Sequence, residues 1–231
     1  MKPRGILTDG IFHRRGVFSR EECGRWTADV YAARADWTPC FDGVQFTLGR
    51  AYYTHLEEDR AEEYFALAGE SDAVVERALP GVQARVRDIL SGLVGEPVTR
   101  RPGWCGPGVH IFPAGEWLSR NGGDVHFDTE GLDEGECATR TTALSAIFML
   151  QPPDRGGALR VWDALWTGAD DEAAIAAAVR APASLAHYGC GDLVVINSYR
   201  LHQIQPFAGN RDRISITAHL LRSPEGWQSW F

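Results

Sequence analysis

Short apolar runs separated by Gly, Pro and Asp dominate the chain beyond residue 98, and most of them contain β-branched or aromatic residues. Runs of this length and composition are typical of strands joined by turns. They predict strands at residues 109–112, 125–127, 141–150, 158–162, 184–188, 193–197 and 214–221. Several short strands with regular turns indicate a sandwich or a jelly roll.

The first part of the chain shows apolar positions at helical spacing instead. Ser19 and Glu22 have the spacing of a capping box, and the apolar stripe that follows predicts a helix to about residue 35. Further helices are predicted at residues 57–68, 81–93 and 171–180, and one more strand at residues 44–48. Helices thus precede the β-rich part, and the 171–180 helix lies in one of its loops.

A chain of 231 residues suits one sizeable domain. No internal repeat and no Pro/Ser-rich linker divides it. We therefore expect a single domain over residues 1–231, mainly β (α+β). Its helical support should lie mostly in residues 1–97 and its β core mostly in residues 98–231.

Composition narrows the class of protein. With 44% apolar and 23% charged residues, the sequence is that of a globular protein with a substantial core. It contains no apolar window long enough for a membrane span, and residues 1–10 lack the features of a signal peptide. The net charge of −8 disfavours a nucleic-acid partner. Five cysteines without a C-x-x-C pair argue against a disulfide framework, so we expect a cytoplasmic protein.

Candidate chemistry begins at His126 and Asp128, which share one face if the segment is extended. One imidazole and one carboxylate, completed by a second imidazole, form the ligand set of non-haem Fe(II) oxygenases. The best candidate for that second imidazole is His202, which follows a strand-like run. Arg213 and Ser215 share a face of the next predicted strand, where a guanidinium and a hydroxyl could bind the far carboxylate of a dicarboxylate.

The order H-x-D, distal H, R-x-S resembles the motif of the Fe(II)/2-oxoglutarate-dependent oxygenases. Residues 156–162 look like the Gly-Gly-x-Leu strand of that family, and residues 189–193 look like its turn before the strand that precedes the distal histidine. Through residues 64–66 and 90–97, the first half is similar to a freestanding subgroup that acts on small molecules. That subgroup contains N-substituted amino-acid hydroxylases and aliphatic halogenases.

This resemblance implies a double-stranded β-helix (jelly roll, cupin-like) with N-terminal supporting helices. It implies Fe(II) bound by His126, Asp128 and His202, with 2-oxoglutarate and O2 as co-substrates. Arg213 and Ser215 would hold 2-oxoglutarate. The expected reaction is hydroxylation of an unactivated C–H bond of a small molecule, such as an amino-acid derivative or a natural-product intermediate.

Other outcomes remain open. The same cofactors could support desaturation, cyclisation or another oxidative rearrangement, and a non-catalytic jelly-roll binding module is an alternative from another class. A zinc hydrolase would use the same three ligands but would leave Arg213 and Ser215 unexplained. In the halogenases of the subgroup, Gly or Ala occupies the position of Asp128, which therefore predicts oxygen transfer rather than halogenation.

Loops flanking the H-x-D motif should form the rim of the substrate pocket. We expect Trp104, Trp117 and Glu130 to contact the substrate. Three further histidines are expected to be structural or to support the ligands, namely His110, His187 and His219. A homodimer is compatible with the sequence.

Overall fold

The structure is a computed structural model that describes residues 11–168 and 172–231. The expected lack of a signal peptide in residues 1–10 and the start of the predicted helix at residue 171 lie outside the described residues. The strands are β1 Ile11–Arg14, β2 Thr38–Cys40, β3 Gln45–Leu48, β4 Val98–Arg100, β5 Gly108–Phe112, β6 Ala143–Gln151, β7 Arg155–Gly156, β8 Leu159–Leu165, β9 Ala183–Ala186, β10 Leu193–Asn197, β11 Arg200–Ile204, β12 Phe207–Ala208, β13 Arg213–Ser223 and β14 Gly226–Trp230.

Helices are concentrated before β4, as the sequence predicts. They are α1 Arg20–Ala32, α2 Tyr52–Glu57, α3 Ala61–Ala66, α4 Ala68–Ala78, α5 Val82–Val94, α6 Trp117–Asn121, α7 Glu134–Ala138 and α8 Glu172–Ala178. None of the helices within the described ranges is long and apolar enough to cross a membrane.

Two sheets form the β core. The larger has nine strands, seven of them in the order β1-β10-β6-β13-β5-β3-β2, and β14 joins β13 to β4. The smaller has the order β11-β8-β9 and packs against the larger through apolar residues of β6, β8, β9 and β10. Two facing, mostly antiparallel sheets make a jelly roll, which confirms the predicted fold class.

Strand β13 separates the core from the cavity by strict alternation, because successive side chains point to opposite faces of a sheet. One face joins the apolar core beneath the helices and carries Ile214, Ile216, Ala218 and Leu220. The other face lines a cavity between the sheets and carries Arg213, Ser215, Thr217 and His219. A single strand therefore contributes both to stability and to the candidate site.

Helices α1, α4 and α5 cover the outer face of the large sheet. The predicted capping box of α1 is present: Glu22 N donates to Ser19 Oγ at 3.1 Å, and Ser19 N donates to Glu22 Oε2 at 2.8 Å. Satisfying these amides explains where the helix begins. It ends at Ala32, before the predicted residue 35, because a short 3-10 turn follows at Arg34–Asp36.

Two predicted elements are wrong. The single helix at residues 57–68 is instead the pair α2 and α3, broken at Asp59, which takes a left-handed backbone conformation with φ 57°. That conformation cannot continue an α-helix. The strand at residues 125–127 reduces to one isolated bridge between His126 and His202. A run of three residues is too short for hydrophobic alternation to distinguish a strand from an extended loop.

Candidate active site

The two histidines and the aspartate predicted to bind metal converge in the structure. The backbones of His126 and His202 exchange two hydrogen bonds, of 3.1 and 3.0 Å, and Asp128 N donates to Ser198 O at 2.9 Å. These bonds fix the H-x-D loop against β11. As a result, one ligand atom from each of the three side chains lies within 4.8 Å of the other two.

Backbone carbonyls orient both imidazoles. Nδ1 of His126 lies 2.9 Å from the carbonyl oxygen of Asp124, and Nδ1 of His202 lies 3.0 Å from that of Arg200. A carbonyl only accepts, so each Nδ1 carries the hydrogen and each Nε2 presents its lone pair. Both Nε2 atoms lie 3.4 Å from Asp128 carboxylate oxygens. This donor set fits a divalent metal ion.

The electrostatics of this group also favour a cation. Burial raises the pKa of Asp128, but the charges of His202 and His126 outweigh it and hold that pKa well below its usual value. Burial lowers the pKa of His126, yet the hydrogen bond and charge of Asp128 raise it to about 9. Burial lowers the pKa of His202 to about 4. Without metal, the Asp128 carboxylate therefore stabilises one proton on His126, which a metal ion would replace.

His219 on β13 lies next to the Asp128 carboxylate, and behind it a chain of hydroxyl contacts runs through Ser145 on β6 to Ser198 in the turn after β10. His219 Nδ1 lies 3.9 Å from Asp128 Oδ2 and 3.2 Å from Ser145 Oγ, and Ser145 Oγ lies 2.9 Å from Ser198 Oγ. These contacts agree with the expected supporting role of His219. His187, by contrast, is exposed on the surface.

Arg213 lies in the same cavity and has no anionic partner. Its side chain is 1% exposed, Nη1 donates to Ser215 Oγ at 3.3 Å, and Nε donates to Gly157 O at 3.4 Å. No carboxylate of the described chain lies within ion-pair distance of it. Burial lowers the pKa of this guanidinium. A buried cation without an anion is costly, so this site fits an anionic ligand.

A phenol completes the anion site. Tyr188 lies beside Arg213, with the guanidinium carbon 5.2 Å from the centre of its ring. The Tyr188 hydroxyl is buried, has no hydrogen-bond partner of normal geometry among the described residues, and interacts with the Arg213 guanidinium. A guanidinium, the Ser215 hydroxyl and a free phenolic O–H are together the donors that a carboxylate accepts from.

One cavity of about 310 Å³ contains both the triad and Arg213. Trp117, which is 51% exposed, and Glu130 line it, and their contact with a substrate stays a prediction. Burial and the neighbouring Asp128 raise the pKa of Glu130 to about 7. Trp104 does not line this cavity: its ring packs on Tyr52 at 4.6 Å and under the Arg101 guanidinium at 4.4 Å. The expected substrate contact of Trp104 is therefore replaced by a packing role.

Comparison with solved structures identifies the fold of this chain. No family model matches the sequence, and no curated protein matches it. Among solved structures, an N-substituted L-amino acid dioxygenase from Burkholderia ambifaria AMMD, in complex with alpha-ketoglutarate, is 15% identical. The alignment covers 99% of this chain and 90% of that one, with a TM-score of 0.61. The chain has the fold of the 2-oxoglutarate-dependent oxygenases.

Two enzymes of nogalamycin biosynthesis share this oxygenase fold. The epimerase SnoN, in complex with Fe3+, alpha-ketoglutarate and nogalamycin RO, is 16% identical over 93% of this chain and 82% of its own, with a TM-score of 0.58. The alpha-ketoglutarate-dependent carbocyclase SnoK is 14% identical over 96% of this chain and 89% of its own, with a TM-score of 0.55. Sequence identity at this level shows a shared fold but not a shared substrate or reaction.

Two residues near this candidate site were not expected from the sequence. Tyr188, beside Arg213, precedes a Gly-Cys-Gly turn, and nothing in its local pattern distinguishes it from a strand residue. Glu57 lines the cavity from the end of α2, and nothing in the predicted helix at residues 57–68 marked it. No sequence signal could have paired these residues with a motif so far away in the chain, whereas the alternation along β13 places Thr217 on the same face as His219.

Proposed function

We propose that the protein is an Fe(II)- and 2-oxoglutarate-dependent oxygenase that hydroxylates an unactivated C–H bond of a small molecule. The observation that carries this proposal is the presence, in one cavity, of a His-Asp-His triad and a buried guanidinium without an anion. A zinc hydrolase would leave Arg213 and Ser215 unexplained, and a simple binding module would gain nothing from the open coordination positions that a three-ligand site leaves. The oxygenase fold and the alpha-ketoglutarate in the Burkholderia dioxygenase support the same conclusion.

Each part of the cavity has a proposed role. His126, Asp128 and His202 would hold the metal through two Nε2 lone pairs and a carboxylate. Arg213 and Ser215 hold the far carboxylate of 2-oxoglutarate. Tyr188 would donate its free hydroxyl to the same carboxylate.

Bound Fe(II) would supply dioxygen activation coupled to the oxidative decarboxylation of 2-oxoglutarate, and with it the oxidising power for C–H cleavage. The chain's own contribution is positioning and electrostatics. Arg213 fixes one end of the co-substrate so that its other end reaches the triad. Ser145 fixes the His219 ring, which lies 3.9 Å from the Asp128 carboxylate. The apolar walls of the cavity, which include Phe112 and Leu159, limit access of water to the reacting atoms.

Halogenation is not expected from this chain. Asp128 places a tethered carboxylate at the position that a halide would need on the metal, and backbone contacts hold that residue in place. We propose hydroxylation as the native outcome. Desaturation, cyclisation or another rearrangement is the second candidate, because SnoN and SnoK carry out epimerisation and carbocyclisation on the same fold.

The chain as a whole is proposed to act as one domain on a small-molecule partner. Three acidic side chains besides Asp128 line the cavity, and the net charge of the chain is −8. Such a surface repels the phosphates of a nucleic acid. A cytoplasmic location and a possible homodimer remain parts of the proposal.

The test is a mass-spectrometric screen of candidate metabolites with Fe(II), 2-oxoglutarate and O2, in which succinate release is the readout. A substrate should raise succinate release and give a product heavier by one oxygen atom. Loss of two hydrogens would shift the assignment to desaturation or ring closure, and a halogen isotope pattern in high chloride would contradict the role given to Asp128. A protein that binds neither metal nor 2-oxoglutarate would refute the proposed function.

A further inference from the structure

Three carboxylates line the cavity around its triad: those of Glu57, Asp124 and Glu130. They come from the end of α2 and from both sides of the H-x-D motif. All three line the same cavity as the triad, Glu57 and Asp124 from its exposed rim and Glu130 from a partly buried position. The fold thus collects negative charge where a substrate must approach the metal.

No cationic side chain of the described ranges pairs with these three carboxylates. The contrast with their neighbours is clear, because Glu58, adjacent to Glu57, binds Arg60 at 2.8 Å. Glu136, six residues beyond Glu130, binds Arg101 at 3.3 Å. The acids that line this cavity therefore lack a cationic partner, whereas acids close to them in the chain form ion pairs with arginines.

A loaded metal centre would not neutralise the three carboxylates. The charges of a divalent metal, the Asp128 carboxylate, dianionic 2-oxoglutarate and the Arg213 guanidinium cancel one another. The part of the cavity left for substrate would therefore keep three acidic groups, and although burial raises the pKa of Glu57 and of Glu130, a cation bound beside them would favour their charged forms. A ligand that restores the balance has to be a cation.

The other walls of the cavity show which kind of cation fits. Phe41, Tyr53 and Trp117 line it, and aromatic faces attract organic cations as well as apolar groups. His110 also lines it, is only 6% exposed, and has no hydrogen-bond partner for its Nδ1 among the described residues. His110 lies opposite Ser215 on the adjacent strand and 5.7 Å from the Tyr53 ring, so this buried, unsatisfied nitrogen indicates a polar ligand in the cavity between the two. Apolar walls with few polar groups are typical of sites for small organic molecules.

We infer that the substrate of the proposed oxygenase is a small organic amine whose ammonium group is held by Glu57 and Glu130. This inference rests on the proposed function and names its substrate class. The cavity of about 310 Å³ must hold 2-oxoglutarate as well, so the reacting carbon and the ammonium group lie close together. Trp117 covers the exposed side of the bound amine.

The experiment uses full-length protein loaded with Zn(II), which is diamagnetic and redox-inactive, and with 2-oxoglutarate. Ligand-observed NMR measures the affinities of benzylamine, benzyl alcohol and phenylacetate, which share a ring but differ in charge. Benzylamine should bind at least about tenfold more tightly than benzyl alcohol, and phenylacetate should bind more weakly than both. The preference should weaken as salt is added, because it is electrostatic.

Variants separate the charge effect from packing. In Glu57→Gln/Glu130→Gln, benzylamine should lose about tenfold in affinity while benzyl alcohol keeps its own. Glu62→Gln is the matched control, because Glu62 is an exposed acid on the adjacent helix α3, and it should leave all three affinities unchanged. A loss of amine affinity in this control would show a general charge effect and overturn the assignment to Glu57 and Glu130.

Calorimetry of 2-oxoglutarate binding to the same Zn(II)-loaded protein distinguishes the two proposals. If 2-oxoglutarate does not bind, the proposed function fails regardless of the amine result. If 2-oxoglutarate binds but benzyl alcohol or phenylacetate binds as tightly as benzylamine, the amine inference fails alone. Lack of benzylamine binding in the millimolar range would also overturn the amine inference.

Discussion

Replacing Arg213 by Met is the sharpest test of the proposed co-substrate site. Methionine is long, flexible and uncharged, so it fills much of the vacated space and limits the cavity left behind. The substitution removes the guanidinium that is 1% exposed and has only Ser215 and the Gly157 carbonyl as hydrogen-bond partners among the described residues. It leaves the three proposed metal ligands intact.

The expected loss of affinity follows from the burial of Arg213. Removing one partner of a buried, hydrogen-bonded charge pair costs about 2–5 kcal/mol of binding free energy. At about 1.4 kcal/mol per factor of ten, the dissociation constant for 2-oxoglutarate should rise roughly 30- to 4,000-fold. The metal affinity should be nearly unchanged, because Arg213 contacts none of the three triad side chains.

The stability of the metal-free protein, unlike its affinity for 2-oxoglutarate, should not fall when Arg213 is replaced. Without 2-oxoglutarate, Arg213 is a buried cation with no anion, and burial already lowers its pKa. Replacing such a charge by an apolar side chain of similar volume is neutral or stabilising by about 1–4 kcal/mol. The melting temperature of metal-free Arg213→Met should therefore equal or exceed that of the parent protein, whereas its stabilisation by 2-oxoglutarate should disappear.

The assay is calorimetric titration of Mn(II)-loaded protein with 2-oxoglutarate, together with thermal unfolding. Arg211→Met is the matched control, because Arg211 is two residues away but exposed, in an ion pair with Asp154 at 2.5 Å. The control should bind 2-oxoglutarate normally. Equal effects of both substitutions, or unchanged affinity in Arg213→Met, would refute the assignment of Arg213 as the carboxylate anchor.

Three further predictions concern the metal site and the core. His202→Ala should weaken Mn(II) binding about a hundredfold or more, as measured by equilibrium titration. His187 is exposed, so His187→Ala should bind Mn(II) normally. Tight Mn(II) binding by His202→Ala would disprove ligation by His202. Burial opposes the charged form of His126, but the adjacent carboxylate raises its pKa to about 9 from 6.5, so Mn(II) affinity should rise with pH between these values as the proton leaves. The stability that this proton gives the metal-free protein is complete below pH 6.5 and lost as the pH passes about 9, so a flat pH profile of unfolding would contradict the pairing. Gly108→Ala should lower the free energy of unfolding by about 1–3 kcal/mol, because a Cβ would overlap the Phe231 ring. Gly92→Ala in helix α5, with open space around it, should raise that free energy by about 0.5–1 kcal/mol. Denaturant unfolding compares the two variants.

Local sequence patterns predicted much of the fold. The capping box at Ser19 placed the start of α1, and the apolar runs located β5, β6, β10 and β13. These patterns succeed because hydrogen bonding at a helix end and side-chain alternation along a strand depend on neighbouring residues alone. The helix pair α2 and α3 was predicted less well, since the left-handed residue between them has no strong local signal.

The triad was predictable for a related reason. His126 and Asp128 are two residues apart, and His202 follows an apolar strand, so each position is recognisable from its own surroundings. Arg213 and Ser215 likewise share one face of one strand. What the sequence could not show is that the His126 and His202 backbones pair directly, which brings the distal ligand to the motif.

The character of the cavity, in contrast, was decided by tertiary structure. Glu57, Glu130 and Tyr188 lie in separate parts of the chain, and each is unremarkable among its neighbours. Packing of the two sheets places Tyr188 beside Arg213, and docking of α2 places Glu57 near Glu130. Burial then leaves the Tyr188 hydroxyl without a hydrogen-bond partner of normal geometry and helps to raise the pKa of Glu130 to about 7. The cost of an unpaired polar group or charge depends on its exclusion from water, which only the folded chain determines.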